Sequence, residues 1–166
     1  MLERIGYFIV PAYNEGSHIG SVVQQATKIL PTLVVDDGSK DNTSSIAREN
    51  GAQVFVQSPN QGKGEALKRG FKEAIILNSD FVITLDADGQ HDVLEATKFI
   101  SLFEQDDLDL IIGYRNFSKM PFPRRVANTI GGWAFSWAMG MKILDNQSGY
   151  RLLSRRLVDK DRKSVV

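Results

Sequence analysis

Two aspartates stand two residues apart directly behind an apolar run: Phe81–Leu85 is followed by Asp86-Ala87-Asp88-Gly89-Gln90-His91. Residues two apart share a face of an extended chain, so carboxylates at the end of a strand can converge on one cation. A hard divalent ion such as Mg²⁺ or Mn²⁺ takes oxygen ligands and keeps positions open for phosphate oxygens. Gln90 or His91 could supply a further ligand. The same residues also make a solvated acidic turn that caps the helix behind them. Spacing excludes a calcium EF-hand: counted from Asp86, loop positions six and twelve hold His91 and Thr97, where Gly and Glu are required.

Four other polar clusters carry chemistry. Asp36-Asp37-Gly38-Ser39 ends an apolar run, and a carboxylate there can accept from a base N–H or a ribose hydroxyl. It equally makes a turn, with Asp41 available as a helix cap. Asn60-Gln61-Gly62-Lys63-Gly64 opens a helix, where backbone N–H groups and Lys63 could meet an anion. It is neither a Walker A loop nor a GxGxxG fingerprint. In Pro11-Ala12-Tyr13-Asn14-Glu15, Tyr13 could stack on a base and Glu15 could hydrogen-bond it. Asp145 precedes Asn146-Gln147-Ser148-Gly149-Tyr150-Arg151. Arg151, with Arg115, could bind phosphate through bidentate hydrogen bonds, and Arg124-Arg125 could extend the same positive rim.

The elements that must hold these residues alternate. Apolar runs ended by turn residues predict strands at Ile5–Val10, Leu33–Val35, Gln53–Gln57, Phe81–Leu85 and Leu110–Tyr114. Helical periodicity predicts helices at Gly16–Leu30, capped by Asn14 or Ser17, then Asp41–Asn50, stopped by Gly51, Gly64–Leu77 and His91–Phe103. This order predicts a doubly wound α/β domain, whose ligands sit beyond the carboxyl ends of the strands. The polar clusters fall at those ends. Val126–Met141 is uncharged and too short to span a bilayer, which needs roughly 20 apolar residues. It reads as a buried helix or as one lying on a membrane surface, with Trp133 and Trp137 on one face.

Composition bounds the class. At 166 residues the chain fits one domain, and 42% hydrophobic with 24% charged residues excludes disorder. Lys+Arg and Asp+Glu both number 20, which argues against bulk-charge binding of nucleic acid. The chain has no cysteine, so disulfides, a thiol nucleophile and thiolate metal sites are excluded. The start lacks the long apolar region of a signal peptide.

Taken in order, PAYNE at 11–15, DDGSKDNT at 36–43, NQGKGEAL at 60–67, DADGQH at 86–91, GYRN at 113–116 and DNQSGYRLLS at 145–154 resemble the family 2 glycosyltransferases. The DADGQH and QSGYR forms are most similar to the branch of dolichyl- and polyprenyl-phosphate sugar synthases. The resemblance covers almost the whole chain and implies the Rossmann-like GT-A nucleotide-diphospho-sugar transferase fold, with a mostly parallel central sheet flanked by helices. It implies an inverting transfer from a GDP- or UDP-sugar to a polyprenyl or dolichyl phosphate, dependent on Mg²⁺ or Mn²⁺, at the cytoplasmic face of a membrane. Pro11, Tyr13, Glu15, Asp37, Lys63, Asp86 and Asp88 then form the nucleotide-sugar site, and Asp86, Asp88 and Gln90 the metal site. Arg115, Arg124 and Arg151 face the acceptor phosphate. Asp88, Arg115, Asp145 and Arg151 are the catalytic set, with Asp145 the base if the acceptor is a hydroxyl. Against that pattern the chain stops soon after QSGYR, with a polar ending that does not look like a full closing element. One truncated family 2 domain spanning residues 1–166 is the expectation. Two alternatives stand beside it: a catalytically incomplete nucleotide-sugar-binding domain, and a haloacid-dehalogenase-type phosphatase using the first Asp of the DxD as nucleophile.

Overall fold

The computed structural model describes residues 4–106, 108–113 and 149–163. The chain divides into two compact units, Met1–Ile111 with Tyr150–Val166, and Ile112–Gly149. Almost all described residues belong to the first.

Each apolar run becomes a strand: β1 (Gly6–Ala12), β2 (Thr32–Asp36), β3 (Gln53–Val56), β4 (Phe81–Thr84) and β5 (Leu110–Ile112). A further strand, β6 (Arg151–Ser154), completes a sheet of order β3-β2-β1-β4-β6-β5. β2 and β4 flank β1 in parallel, and β3 runs parallel to β2. β6 is antiparallel to β4, with Thr84 opposite Arg151.

β1 shows why an uninterrupted apolar run belongs at the centre. Phe8 and Val10 point into one core with Ile19, Val22 and Val23 of α1 (Ile19–Ala26) and with Phe99 and Phe103 of α4 (Ala96–Gln105). Ile9, between them, points into the opposite core with Phe71 and Ala74 of α3 (Lys63–Ile76). A strand covered on both faces has no polar alternation to display. Gly70 lets α3 lie close: a Cβ there would sit 2.4 Å from Ile9 Cγ2. α2 (Thr43–Glu49) follows β2, and its chain stops at Gly51, whose φ of 96° suits glycine.

Two expectations need correction. The helix after β1 begins at Ile19 and has no side-chain cap, because Asn14 is drawn into a loop contact instead. The helix expected over His91–Phe103 is two pieces: a 3₁₀ turn at Val93–Glu95, capped by Asp92 accepting from Leu94 N at 3.0 Å, and then α4. Two elements were not foreseen: Arg151–Ser154 is an internal strand, and α5 (Arg155–Lys163) buries Val158 in the core that holds Ala74. The fifth strand ends at Ile112. The apolar stretch 126–141 lies outside the described residues. Among those described, no helix is long and apolar enough to cross a membrane.

Candidate active site

The loops that follow β1, β2 and β4 emerge at one edge of the sheet. The chain leaves β1 toward β2 on one side, while β4 lies on the other, so this edge holds a topological switch point, where α/β sheets form their ligand crevices. An open cleft of about 210 Å³ lies there, lined by Pro11, Ala12, Tyr13, Glu15, Asp37, Lys63, Ala66, Asp86, Ala87 and Asp88. It contains every residue expected in the nucleotide-sugar site.

Short polar side chains lock the first two loops together. Asn14, in the left-handed region at φ 55°, donates its N–H to Ser39 Oγ (2.9 Å), and its Oδ1 accepts from Lys40 N (2.8 Å). Glu15 N donates to Thr43 Oγ1 (2.9 Å) and Gly16 N to Asp41 Oδ2 (3.0 Å). Asp41 also accepts from Thr43 N and Thr43 Oγ1; the hydroxyl contact is the main cause of a carboxyl pKa below the usual range. Asp36 is buried, accepting from Ser39 N at 2.9 Å and from Ser44 Oγ. It closes its own turn. Tyr13 is left 44% exposed over the cleft, so its ring face is available for stacking.

Asp37 is buried to 3% exposure and clasps the next loop. Its Oδ1 accepts from Gln57 Nε2 (2.6 Å) and Gln61 N (2.8 Å), and its Oδ2 from Gly62 N (2.7 Å). A carboxylate offers about four acceptor positions, so one remains toward the cleft. The clasp fixes the start of α3 and thereby Lys63.

Lys63 crosses to the aspartate pair: Nζ lies 2.5 Å from Asp86 Oδ1. On the other oxygen, His91 Nε2 lies 3.7 Å from Asp86 Oδ2. His91 and then Lys63, against the opposing effect of burial, hold the Asp86 carboxyl down to about 2. Asp86 is therefore ionised at neutral pH, in a setting that selects positive charge. His91 is itself placed by packing on Tyr150 (centroids 5.2 Å apart), which also meets Phe99 at 4.9 Å and donates its hydroxyl to Val93 O (3.1 Å). Burial raises the Tyr150 hydroxyl well above its ordinary value.

Asp88 accepts from Gln90 N at 3.0 Å, so Gln90 reaches the pair through its backbone while its side chain is exposed. Among the described residues no three His, Cys, Asp or Glu side chains form a metal cage. Mg²⁺-type sites built from one or two carboxylates and substrate phosphates need none. Two carboxylates lining an open cleft, one of them already facing ammonium and imidazole nitrogens, fit such an ion.

Arg151 begins β6 opposite Thr84, whose Oγ1 donates to Arg151 O at 3.5 Å. Its backbone thus stands beside the end of β4, opposite the residue two before Asp86. Arg115, Arg124 and Asp145 lie outside the described residues. Sequence reasoning did not foresee the lock of Asn14, Ser39, Asp41 and Thr43, nor the packing of Tyr150 on His91. The available signal was the density of Asn, Asp, Ser and Thr in both loops, which bond backbone as readily as ligand.

The family model for glycosyl transferase family 2 matches residues 7–160. The chain is 32% identical to the UDP-N-acetylglucosamine–dolichyl-phosphate N-acetylglucosaminyltransferase of Methanococcus voltae, covering 93% of this chain and 71% of that protein. It is 34% identical to the dolichyl-phosphate hexose transferase of Haloferax volcanii, covering 90% and 66%. The solved structure of glucosyl-3-phosphoglycerate synthase from Mycobacterium tuberculosis, with Mn²⁺, UDP-glucose and phosphoglyceric acid, superposes at a TM-score of 0.76 and 22% identity, covering 92% of this chain and 57% of that one. The fold is that of the GT-A glycosyltransferases. The chain spans about two thirds of the length of these curated relatives.

Proposed function

Because the chain belongs to glycosyl transferase family 2, we propose that it transfers a glycosyl group, with inversion, from a GDP- or UDP-sugar to a polyprenyl or dolichyl phosphate. One observation carries the reading: Pro11, Tyr13, Glu15, Asp37, Lys63, Asp86 and Asp88, drawn from four separate segments of the chain, line a single cleft at the switch point of the sheet. The activities for which the two archaeal relatives are named support a lipid-phosphate acceptor.

Tyr13 stacks on the base, and Glu15 and the free acceptor position of Asp37 meet its polar edge and the ribose. Lys63 faces the diphosphate. Asp86 and Asp88, with Gln90 beside them, would hold a divalent cation, Mg²⁺ or Mn²⁺, which would supply stabilisation of the charge on the departing diphosphate. Fixed positive groups aimed at that developing charge are the main catalytic contribution available here. Arg151 at the sheet edge meets the acceptor phosphate; the same role for Arg115 and Arg124 rests on the family resemblance of their motifs. A phosphate acceptor is anionic at neutral pH and needs no general base; Asp145 would serve only a hydroxyl acceptor. A prenyl acceptor is reached at a membrane surface, which gives the apolar stretch 126–141 its use.

The test is thermal stability with UDP or GDP, in Mn²⁺ and then in EDTA. At about 100 times the dissociation constant, binding stabilises by about 2.7 kcal/mol. At this chain size that is a shift of roughly 5–10 °C. A metal-dependent shift with one nucleotide names the donor class, and transfer to a prenyl phosphate is assayed next. A folded protein that shifts with neither nucleotide refutes the donor site.

A further inference from the structure

We propose that Lys63 is a tethered counter-cation: it neutralises Asp86 in the free protein and leaves it for the diphosphate when donor and metal arrive together, so the cleft takes up the metal as its nucleotide complex in preference to the bare ion. This deepens the donor-site reading above and rests on it.

The geometry gives Lys63 a fixed base and a free head. Its backbone begins α3 immediately after Gly62, whose N–H is held by Asp37 at 2.7 Å. Its side chain is 55% exposed, whereas Asp86 is only 22% exposed. The ammonium can therefore swing while the carboxylate stays. In the free protein Nζ sits 2.5 Å from Asp86 Oδ1, and His91 Nε2 stands 3.7 Å from Oδ2. Both oxygens that would face a metal already face nitrogen. A divalent ion placed on Asp86 beside that ammonium is repelled at contact range, where screening is least effective.

Charge balance gives the order of events. Asp86, Asp88 and Lys63 together carry a single formal negative charge. A bare divalent ion overshoots the charge of these three groups; Glu15 and Asp37, elsewhere on the cleft lining, are not part of that balance. A donor diphosphate brings negative charge with the metal and offers Lys63 another acceptor within reach of the same cleft wall. A purely structural ion pair, docking α3 on the DxD turn, predicts something different: losing Lys63 would lower stability and leave the affinity for the bare ion unchanged.

The experiment titrates Mn²⁺ by the electron paramagnetic resonance of the free ion, with and without UDP, or GDP where the thermal test selects it. Lys63→Met should tighten binding of Mn²⁺ alone by about tenfold and weaken nucleotide binding in Mn²⁺ by a similar factor. Lys63→Arg keeps the charge and should keep the wild-type pattern. Lys68→Met, which removes an exposed lysine paired with Glu65 on the same helix, should change neither quantity. Each variant's thermal midpoint is read first, and Lys63→Gln replaces Lys63→Met if the latter does not fold. Unchanged or weaker binding of Mn²⁺ alone in the charge-removing variant, with wild-type nucleotide binding intact, overturns the counter-cation role and spares the donor site. A wild-type protein that binds neither nucleotide in Mn²⁺ overturns both.

Discussion

Replacing Asp37 by alanine should destabilise the protein by about 3 kcal/mol. The carboxylate is 3% exposed and accepts three hydrogen bonds, from Gln57 Nε2 at 2.6 Å, Gln61 N at 2.8 Å and Gly62 N at 2.7 Å. The Gln57 side chain can turn to water, so its loss counts for little. The two backbone donors cannot turn without moving the start of α3. A hydrogen bond to a charged acceptor contributes about 1.5–3 kcal/mol. Gln61 and the partly buried Gly62 recover some water contact, so the lower end of that range applies to each. With an m-value of about 2 kcal/mol/M, the urea midpoint should fall by roughly 1.5 M. Asp37→Asn keeps one acceptor oxygen but turns an N–H₂ toward a donor, and should fall between wild type and alanine. Hydrogen exchange supplies the local readout: the Gln61 and Gly62 amides should be protected in the wild type and exposed in Asp37→Ala. An alanine variant within about 0.5 kcal/mol of wild type, with both amides still protected, would falsify the clasp.

Acid should unfold the protein partly through Asp86. Its folded pKa of about 2 lies below the ordinary 3.8, so the stability it contributes is present above pH 4 and is lost as pH falls toward 2. The contribution is about 2 kcal/mol, and Asp86→Asn should flatten that limb of a urea stability–pH profile; an unchanged limb sinks the assignment. Tyr150→Phe removes the donor to Val93 O and should lower stability by about 1–2 kcal/mol, read from denaturant midpoints. Gly70→Ala should destabilise by about 1–3 kcal/mol despite alanine's better helix propensity, since its Cβ would meet Ile9 at 2.4 Å. Gly64→Ala, with nothing within 4 Å, should stabilise by about 0.5–1 kcal/mol, and equal effects at the two positions would contradict the packing described.

Five strands and the α/β alternation were readable because each strand is a β-rich apolar run with turn residues behind it, and in β1, β2 and β4 burial on both faces removes ambiguity about which side is inside. β6 was not. Arg151-Leu152-Leu153-Ser154 is four residues long with polar ends, and only its pairing with Phe81–Thr84 makes it a strand. The helix after Asp92 was placed but not its 3₁₀ start, because a capping aspartate reads the same before either geometry. The lining of the cleft was legible, since strand ends converge by topology. The division of labour within it was not: Asp36, Asp37 and Asp41 are one residue type in one short segment. Asp36 and Asp41 close loops and Asp37 clasps the next turn, which depends on donors 2 to 25 residues away.

The antiparallel return of β6 also sets a schedule. β4 is synthesised about 70 residues before its second neighbour, a delay of roughly 4–14 s at ordinary elongation rates. Until Arg151–Ser154 emerges, Phe81–Thr84 presents a bare row of backbone donors and acceptors along an apolar strand, the pattern that recruits other chains. A nascent chain stalled or cut before Arg151 keeps that row open. Solubility during translation thus turns on one four-residue strand, far from β4 in sequence and beside it in space.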